Sequence, residues 1–238
     1  MHHPLFTRSV VAALMTASFV MTPVASAFAQ SCDPNTEARL EFIETRLDEG
    51  QKHEKWWWRS WLAVYSIGFV YKTVEGATTS DGSNAAADYF TAGKSALGIL
   101  DLTLRPHVGR HGAAPMRAIP KTTAQYCAER LALAEKSMSQ ASEQANMRWS
   151  WKRHLSSLVL NLGVAVAISE GWDDEGTAWR DFGVSETSAE LSIWTHPTRA
   201  YHDWEDYRAK FDGTPAAIAP STLRFAASPR GVGLVWKF

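Results

Sequence analysis

The most constraining feature of the sequence is a series of mainly apolar or small residues spaced alternately three and four positions apart. The series follows Asp33-Pro34, a helix N-cap residue and a proline that suits the first helical turn. Residues at this spacing share one face of a helix, and the face continues for more than four heptads. The sequence therefore predicts one long helix, whose seam consists of Leu40, Ile43, Leu47, Gly50, Glu54, Trp57, Trp61, Val64, Gly68 and Tyr71.

A second long helix with a similar seam is predicted to begin at Thr122, where Gln125 completes a capping-box pattern. Alanine and glycine on both seams would let the two helices approach closely. The second seam continues into an apolar stretch over 155–168, so we expect a helix without a break. Its earlier members are Cys127, Leu131, Ala134, Met138, Ala141, Ala145 and Trp149.

Each long helix is followed by a loop and a shorter helix, and the two halves of the chain match when shifted by 93 residues. The matched pairs include Trp56 with Trp149, Trp58 with Trp151, Asp81 with Asp174 and Asp88 with Asp181. The loops cover 78–84 and 171–176, and the shorter helices cover about 85–104 and 178–194. This agreement predicts a duplicated helical hairpin, with two unrelated amphipathic hairpins as the alternative.

These features predict a mainly all-α fold in which two tandem helical hairpins, 33–105 and 122–211, form an elongated four-helix bundle. The long helices would extend beyond the short ones, so 33–55 and 122–148 are expected to form a charged coiled-coil stalk. The segment 106–120 contains several glycines and no helical period, and it is predicted to be a loop.

The chain changes character after the helical domain, 30–213. The last part, 214–238, is predicted to be a linker followed by a C-terminal β-hairpin around the turn sequence Ser228-Pro229-Arg230-Gly231. Its final segment resembles the terminal strand of bacterial outer-membrane proteins, and a plain hairpin that covers the helices is the other interpretation. The residues that alternate on one face of this segment are Val232, Leu234, Trp236 and Phe238.

Residues 1–29 are typical of a secretory signal peptide. Arg8 supplies the positive charge, 9–20 form an apolar run, and Ala27-Phe28-Ala29 gives a small-x-small cleavage pattern. The run is shorter than a membrane span, which requires about 20 residues. We therefore expect export to the periplasm, or to the periplasmic face of the outer membrane, of a Gram-negative bacterium.

Export makes a disulfide between the two cysteines, Cys32 and Cys127, the favoured prediction, because disulfides persist outside the cytoplasm. The bridge would join the two long helices at the same end of the stalk. Lipid attachment at Cys32 is the competing use, although the preceding Ala29-Gln30-Ser31 fits a lipoprotein signal poorly. Two free thiols are the remaining alternative.

The chain contains 11 tryptophans, and two clusters of them lie beside basic residues immediately before an apolar stretch. Aromatic and cationic side chains in this arrangement are typical of a membrane–water interface. Three consecutive tryptophans also point around most of a helix, so one packed face cannot bury them all. The predicted membrane-binding or partner-binding residues are Trp56, Trp57, Trp58, Arg59, Trp61, Trp149, Trp151, Lys152 and Arg153.

A complete crossing of the membrane is not expected from the sequence. The apolar stretches 62–71 and 155–168 are short of a full span, and the helices paired with them carry several charges, each of which would cost several kcal/mol in lipid unless paired. These charged residues are Asp88, Lys94, Asp101, Arg180, Asp181, Glu186 and Glu190. Tryptophans packed within a helical bundle are the alternative to the membrane interpretation.

Signals for catalysis are weak, and no cofactor or metal is predicted. A formal net charge of −1 argues against a nucleic-acid partner. His202 and Asp206 would share a helix face as metal ligands and 173–175 could accept calcium, but solvated charged surfaces explain both patterns better.

Two functional hypotheses follow. In the first, an exported, non-catalytic protein binds a membrane surface or an envelope protein, and self-association into a homo-oligomer stays open. In the second, a soluble periplasmic enzyme, small-molecule binder or metal binder has its site between the hairpins, with His107, His196 and His202 as candidates.

Overall fold

The computed structural model describes residues 32–213 and the strand residues 222–228 and 231–237, and the chain is mainly helical. The predicted signal peptide (1–29) and the segment 214–221 lie outside the described residues. The helices are α1 (Pro34–Thr78), α2 (Gly82–Leu104), α3 (Ala114–Arg117), α4 (Ala124–Arg148), α5 (Trp151–Trp172), α6 (Glu175–Trp194) and α7 (Arg199–Phe211), with a 3₁₀ turn at Val108–His111. Strands β1 (Thr222–Ser228) and β2 (Gly231–Lys237) pair antiparallel, Thr222 opposite Lys237.

Aspartate caps define the starts of three helices. Asp33 accepts hydrogen bonds from the backbone N–H groups of Asn35 and Thr36 at 3.0 Å, which fixes the start of the 45-residue helix α1. Asp81 and Asp174 cap α2 and α6 by accepting from the N–H group three residues later in each case. The loops before these helices are therefore shorter than the sequence suggested, because each helix extends back to its aspartate.

The prediction of an unbroken second long helix is wrong, because the helix is interrupted at Trp149–Ser150, which separates α4 from α5. Ser150 takes an extended backbone conformation, and its hydroxyl donates to the carbonyl oxygen of Met147 at 2.7 Å. The Trp149 indole donates to the carbonyl oxygen of His196 at 3.2 Å. The break therefore directs this side chain toward the segment between α6 and α7.

The expected coiled-coil stalk is replaced by a three-helix head, which we define as residues 32–55, 106–149 and 195–213. Helix α7 packs against both α1 and α4, and the predicted loop contributes buried residues to the same core. A third helix closes the seam that a two-stranded coil would leave open. The core of the head consists of Leu40, Ile43, Leu47, Ala113, Met116, Ala134, Met138 and Tyr207.

A disulfide joins Cys32, just before α1, to Cys127 in the first turn of α4, as predicted. The two Cα atoms are 5.5 Å apart, and both residues belong to the buried core of the head. The bond fixes the two helix starts at one end of the molecule.

The remaining helices form two hairpins, which we call the hairpin segment and define as residues 56–104 and 151–194. The second half of α1 packs against α2, α5 packs against α6, and α2 contacts both helices of the second hairpin. The buried apolar cluster here is small, and it consists of Ala87, Val164, Ala165, Ile168 and Ala178. That the two hairpins arose by duplication stays a prediction.

Candidate functional site

The hairpin segment carries nearly all of the large apolar side chains that the described part of the chain exposes. Outside this segment, only Tyr126 and Met147 belong to that group. Ile67 on α1 is 69% exposed and Val159 on α5 is 61% exposed, both near the middle of their helical segments. The others include Val70, Val74, Tyr89, Phe90, Leu155, Leu158, Leu162, Val166 and Leu191, whereas Val64, Leu97, Leu100 and Val184 are exposed toward the cavity between the hairpins. All four helices of the segment therefore present apolar surface outward.

The interior between the hairpins contains charged side chains beside apolar ones, and these charges are paired. Lys94 Nζ lies 2.8 Å from Asp181 Oδ2, and both side chains are almost completely buried. Lys94 also donates to Ser185 Oγ at 2.6 Å, and Asn161 Nδ2 donates to Glu186 Oε2 at 2.7 Å. These charged side chains are thus partnered between helices.

Asp101 forms ion pairs with several arginines at the head end of this interior. Arg148 Nη2 and Arg153 Nη2 each lie 3.0 Å from Asp101 Oδ2, and Arg105 lies 3.9 Å from the other oxygen. His154 Nδ1 lies 2.8 Å from Glu190 Oε2 nearby. The predicted interface residue Arg153 therefore forms an ion pair inside the molecule.

Among the described helices, one is long and apolar enough to cross a membrane, and it is Trp151–Trp172. The core helix of a soluble protein passes the same test when it is mostly buried. In this helix only 17% of the apolar window is buried, so packing against the described residues does not account for its apolar character.

Aromatic residues ring the head end of the hairpin segment. We call this group the collar, and it consists of Trp56, Trp58, Trp61, Trp149, Trp151 and Trp194. Trp56 is 62% exposed and Trp151 is 67% exposed, while Trp58 anchors its indole N–H on the carbonyl oxygen of Leu102 at 2.9 Å. Arg59 and Lys152, both exposed, lie beside these rings. The collar thus presents aromatic edges and cations side by side.

Trp57, which the sequence placed among the interface residues, is buried in the protein instead, with 1% of its surface exposed. Its indole N–H bonds to Thr195 Oγ1 at 3.2 Å. Trp57 belongs to the seam of α1, and this part of the seam faces the protein interior. Trp57 therefore cannot contact a membrane or a partner.

Tryptophans also occur at the opposite end of the hairpin segment. Trp172 ends α5 and is 46% exposed, and Trp179 lies in the first turns of α6 and is 57% exposed. At a rise of about 1.5 Å per residue, Trp151 and Trp172 are separated by about 32 Å along α5. The two aromatic groups therefore bracket the apolar surface of this helix.

A second feature lies just inside the collar, where three buried ligand-type side chains meet. His107 Nδ1 is 3.1 Å from Glu54 Oε2 and 3.3 Å from His196 Nε2. One such atom from each residue lies within 4.8 Å of the others. The exposed fractions are 6% for Glu54, 2% for His107 and 4% for His196. Three separate parts of the chain, α1, the segment after α2 and the segment after α6, therefore converge on one point.

Packing fixes the orientation of both imidazoles. The Trp57 ring lies 4.9 Å from the His107 ring and 4.6 Å from the His196 ring, measured between centroids. Gly109 allows this approach, because a Cβ atom there would lie 3.2 Å from Glu54 Cγ. Burial, with smaller contributions from His107 and the cation Arg148, lowers the pKa of His196 to about 2. The ring of His196 is therefore neutral at physiological pH.

The other sequence candidates for metal binding do not assemble into a site. Among the described residues, His202 lies on α7 outside the histidine pair, and its predicted partner Asp206 lies 3.8 Å from Arg46 Nη2. Asp174 caps α6, so that carboxylate is already used.

The sequence suggested His107 and His196 as candidate site residues, but it did not suggest Glu54, which lies beside them in the structure. A signal was present, because Glu54 is a charged residue on the otherwise apolar or small seam of α1. A seam position that faces the interior requires a partner for a carboxylate.

A cavity of about 610 Å³ lies between the two hairpins, which agrees with the place that the sequence suggested for a binding site. Lys94, Asp101 and several serines contribute its polar lining, and leucines from α2 and α5 contribute the apolar part. The histidine pair does not line this cavity. The chain matches no family model, no curated protein sequence and no solved structure.

Proposed function

We propose that this protein is an exported, non-catalytic envelope protein that is embedded in a membrane by its hairpin segment. The segment would form a four-helix bundle within the lipid, the collar would lie at the membrane–water interface, and the head would stay in water. The observation that carries the proposal is the exposed apolar surface, since large apolar side chains project outward from all four helices while the charged groups between the hairpins are paired.

Lipid explains this surface better than a protein partner does. A partner normally covers one face of a molecule, whereas apolar side chains here project from α1, α2, α5 and α6 alike. Contiguous apolar surfaces beyond a few hundred Å² are rare on soluble monomers. A bilayer surrounds a bundle on every side, so it is the occupant that matches the extent of the exposed surface.

The lengths of the helices agree with the thickness of a bilayer. The hydrocarbon core is about 30 Å thick, which about 20 helical residues span. Helices α2, α5 and α6 contain 23, 22 and 20 residues. Tryptophan is enriched at both membrane interfaces, and tryptophans lie at both ends of α5. The collar cations Arg59 and Lys152 would reach lipid phosphates at the head side.

The sequence argued against a membrane span because the helices carry charged residues, and pairing of these charges with one another answers that argument. An ionised side chain within lipid is costly when it stands alone, and such residues normally face the bundle interior with a partner. Lys94 with Asp181, and Asp101 with Arg148, meet that condition. The charges would therefore stabilise contacts between helices and would not face the hydrocarbon.

Arginine substitutions on the outer surface test the proposal. Ile67→Arg combined with Val159→Arg would place two cations at mid-membrane, each costing about 2.5–3.5 kcal/mol in lipid. We expect the wild-type chain to resist extraction of cell membranes with alkaline carbonate, and the variant to be extracted or degraded. In water, the same exposed changes would alter the free energy of unfolding by only about 0.5 kcal/mol each.

The matched control is Tyr126→Arg combined with Met147→Arg, which changes the two exposed large apolar residues of the head. This variant should remain in the membrane fraction like the wild type. An uncleaved leader that anchored the chain would hold both variants equally. Equal behaviour of the two variants, or a wild-type chain found in the soluble fraction, would contradict insertion of the hairpin segment.

A further inference from the structure

We propose that Glu54, His107 and His196 form a binding site for a divalent first-row transition metal ion, with zinc as the preferred ion. The site lies in the head, inside the collar, and its existence does not depend on insertion of the hairpin segment into a membrane. The sequence predicted no metal, because the three residues are distant in the chain and only the fold brings them together.

The spacing of the ligand atoms fits one ion. Zinc binds imidazole nitrogen at about 2.0–2.1 Å and carboxylate oxygen at about 2.0–2.2 Å in a tetrahedral arrangement, which places neighbouring ligand atoms about 3.3 Å apart. The observed separations are 3.3 Å between His107 Nδ1 and His196 Nε2, and 3.1 Å between His107 Nδ1 and Glu54 Oε2. All three ligand atoms lie within 4.8 Å of one another, so the Glu54 and His196 side chains would need only a small adjustment to share one ion with His107.

The charge of the cluster also favours a cation. Within the part of the chain that the structure describes, Glu54 is hydrogen-bonded to His107, and no lysine or arginine reaches the Glu54 carboxylate. Arg148 stacks on Trp57 nearby, but its charge is already paired with Asp101 at 3.0 Å. A buried carboxylate that lacks a cationic partner is costly, and a divalent ion would remove that cost.

Hydrogen bonding alone leaves the cluster incompletely satisfied. A neutral imidazole has one N–H donor, whereas His107 Nδ1 faces both Glu54 and His196. The other ring nitrogens, His107 Nε2 and His196 Nδ1, are buried and have no hydrogen-bond partner among the described residues. With Nδ1 of His107 and Nε2 of His196 bound to a metal, those outer nitrogens carry the ring protons, and the three facing atoms share one partner.

The donor set indicates the class of metal and the open position. Two imidazoles and one carboxylate suit zinc and related first-row ions better than calcium or magnesium, which prefer oxygen ligands alone. Sites with three protein ligands keep a fourth position for water or a small ligand. A small cavity of about 130 Å³ adjoins Glu54 and is lined by His53, Gly109 and Pro197, which gives room for that ligand.

Metal binding is tested on the full-length protein purified in detergent with an affinity tag that contains no histidine. After treatment with a chelator, the protein is titrated with Zn²⁺, and bound metal is measured by mass spectrometry of the eluted protein. Co²⁺ is used in parallel, because its visible ligand-field bands report nitrogen and oxygen ligands in tetrahedral geometry. We expect one ion per chain and tetrahedral Co²⁺ bands.

Glu54→Gln and His196→Gln should each weaken Zn²⁺ binding by at least about 100-fold. His202→Gln is the matched control, since it removes a histidine of the head that lies outside the cluster, and its affinity should stay within about threefold of the wild type. If a variant loses its helical circular dichroism, its loss of metal binding reflects unfolding. In that case the Co²⁺ spectrum of the wild-type chain decides whether the metal site exists. Absence of tetrahedral Co²⁺ bands in the wild type, or equal Zn²⁺ affinity in His196→Gln and His202→Gln, would overturn the proposal.

Discussion

The ion pair between Lys94 and Asp181 shows how single side chains determine the stability of the hairpin segment. Their charged atoms are 2.8 Å apart in an interior that excludes most solvent. The partners are separated by 87 positions in the sequence and belong to different hairpins. Because of that separation, spacing along one helix could not reveal the pair.

Lys94→Met is expected to lower the free energy of unfolding by about 3–5 kcal/mol, because it leaves Asp181 charged, buried and unpaired. Adding Asp181→Leu should recover much of this loss, since neither charge then remains. Arg105→Met is the control, because Arg105 is 79% exposed and its pairing with Asp101 should contribute at most about 1 kcal/mol. Thermal unfolding in detergent compares the variants, and a Lys94→Met loss as small as that of Arg105→Met would argue against a dry interior.

The long first helix follows from a local signal, because Asp33-Pro34 specifies its start. Asp81 and Asp174 also cap helices, although the sequence pattern placed both in loops. The disulfide follows from the predicted export together with the presence of two cysteines. The break at Trp149–Ser150 could not be predicted from its neighbours, because it depends on a hydrogen bond from the Trp149 indole to the carbonyl oxygen of His196. The docking of α7 on α1 and α4 is likewise a tertiary contact without a periodic signal.

The disulfide between the starts of α1 and α4 gives a prediction for the head. Cys32→Ser combined with Cys127→Ser removes a cross-link between residues 95 positions apart. On the chain-entropy model, the double variant should unfold with a free energy lower by on the order of 4–5 kcal/mol. Reduction of the wild-type protein should produce the same loss. Intact mass measured without reductant checks the bond itself, and a lipid mass on Cys32 or two alkylatable thiols would contradict it.

The molecule as a whole has two ends of opposite character. The collar end carries the cations Arg59 and Lys152, whereas the loops between the hairpin helices carry Asp81, Asp173 and Asp174. Bias of lysine and arginine alone would favour a cytoplasmic head. The disulfide favours the opposite orientation, because such bonds do not persist in the cytoplasm. We give precedence to the disulfide, since a covalent bond constrains the compartment more strongly than a charge bias does.

Insertion of the hairpin segment places the head and the helix-connecting loops on opposite sides of a membrane. Single cysteines introduced by Glu143→Cys in the head and Ser80→Cys in the first loop, both exposed positions, report this arrangement. Each variant is treated with a membrane-impermeant maleimide before and after the membrane is permeabilised. We expect one position to react before permeabilisation and the other only afterwards. Reaction of both positions beforehand would mean that the segment does not cross the membrane.

The tips of the two hairpins are bound to each other. The Ser83 hydroxyl contacts Asp81 at 2.7 Å and Asp174 at 2.6 Å, and Asn84 accepts a hydrogen bond from Arg180 at 2.7 Å. Because these bonds hold α2 and α6 together where both helices begin, the hairpins cannot separate at that end without breaking them. The Asp101 end is held as well, because Asp101 pairs with Arg148 and Arg153 at 3.0 Å. Widening of the cavity between the hairpins would therefore have to break polar contacts at one end or the other.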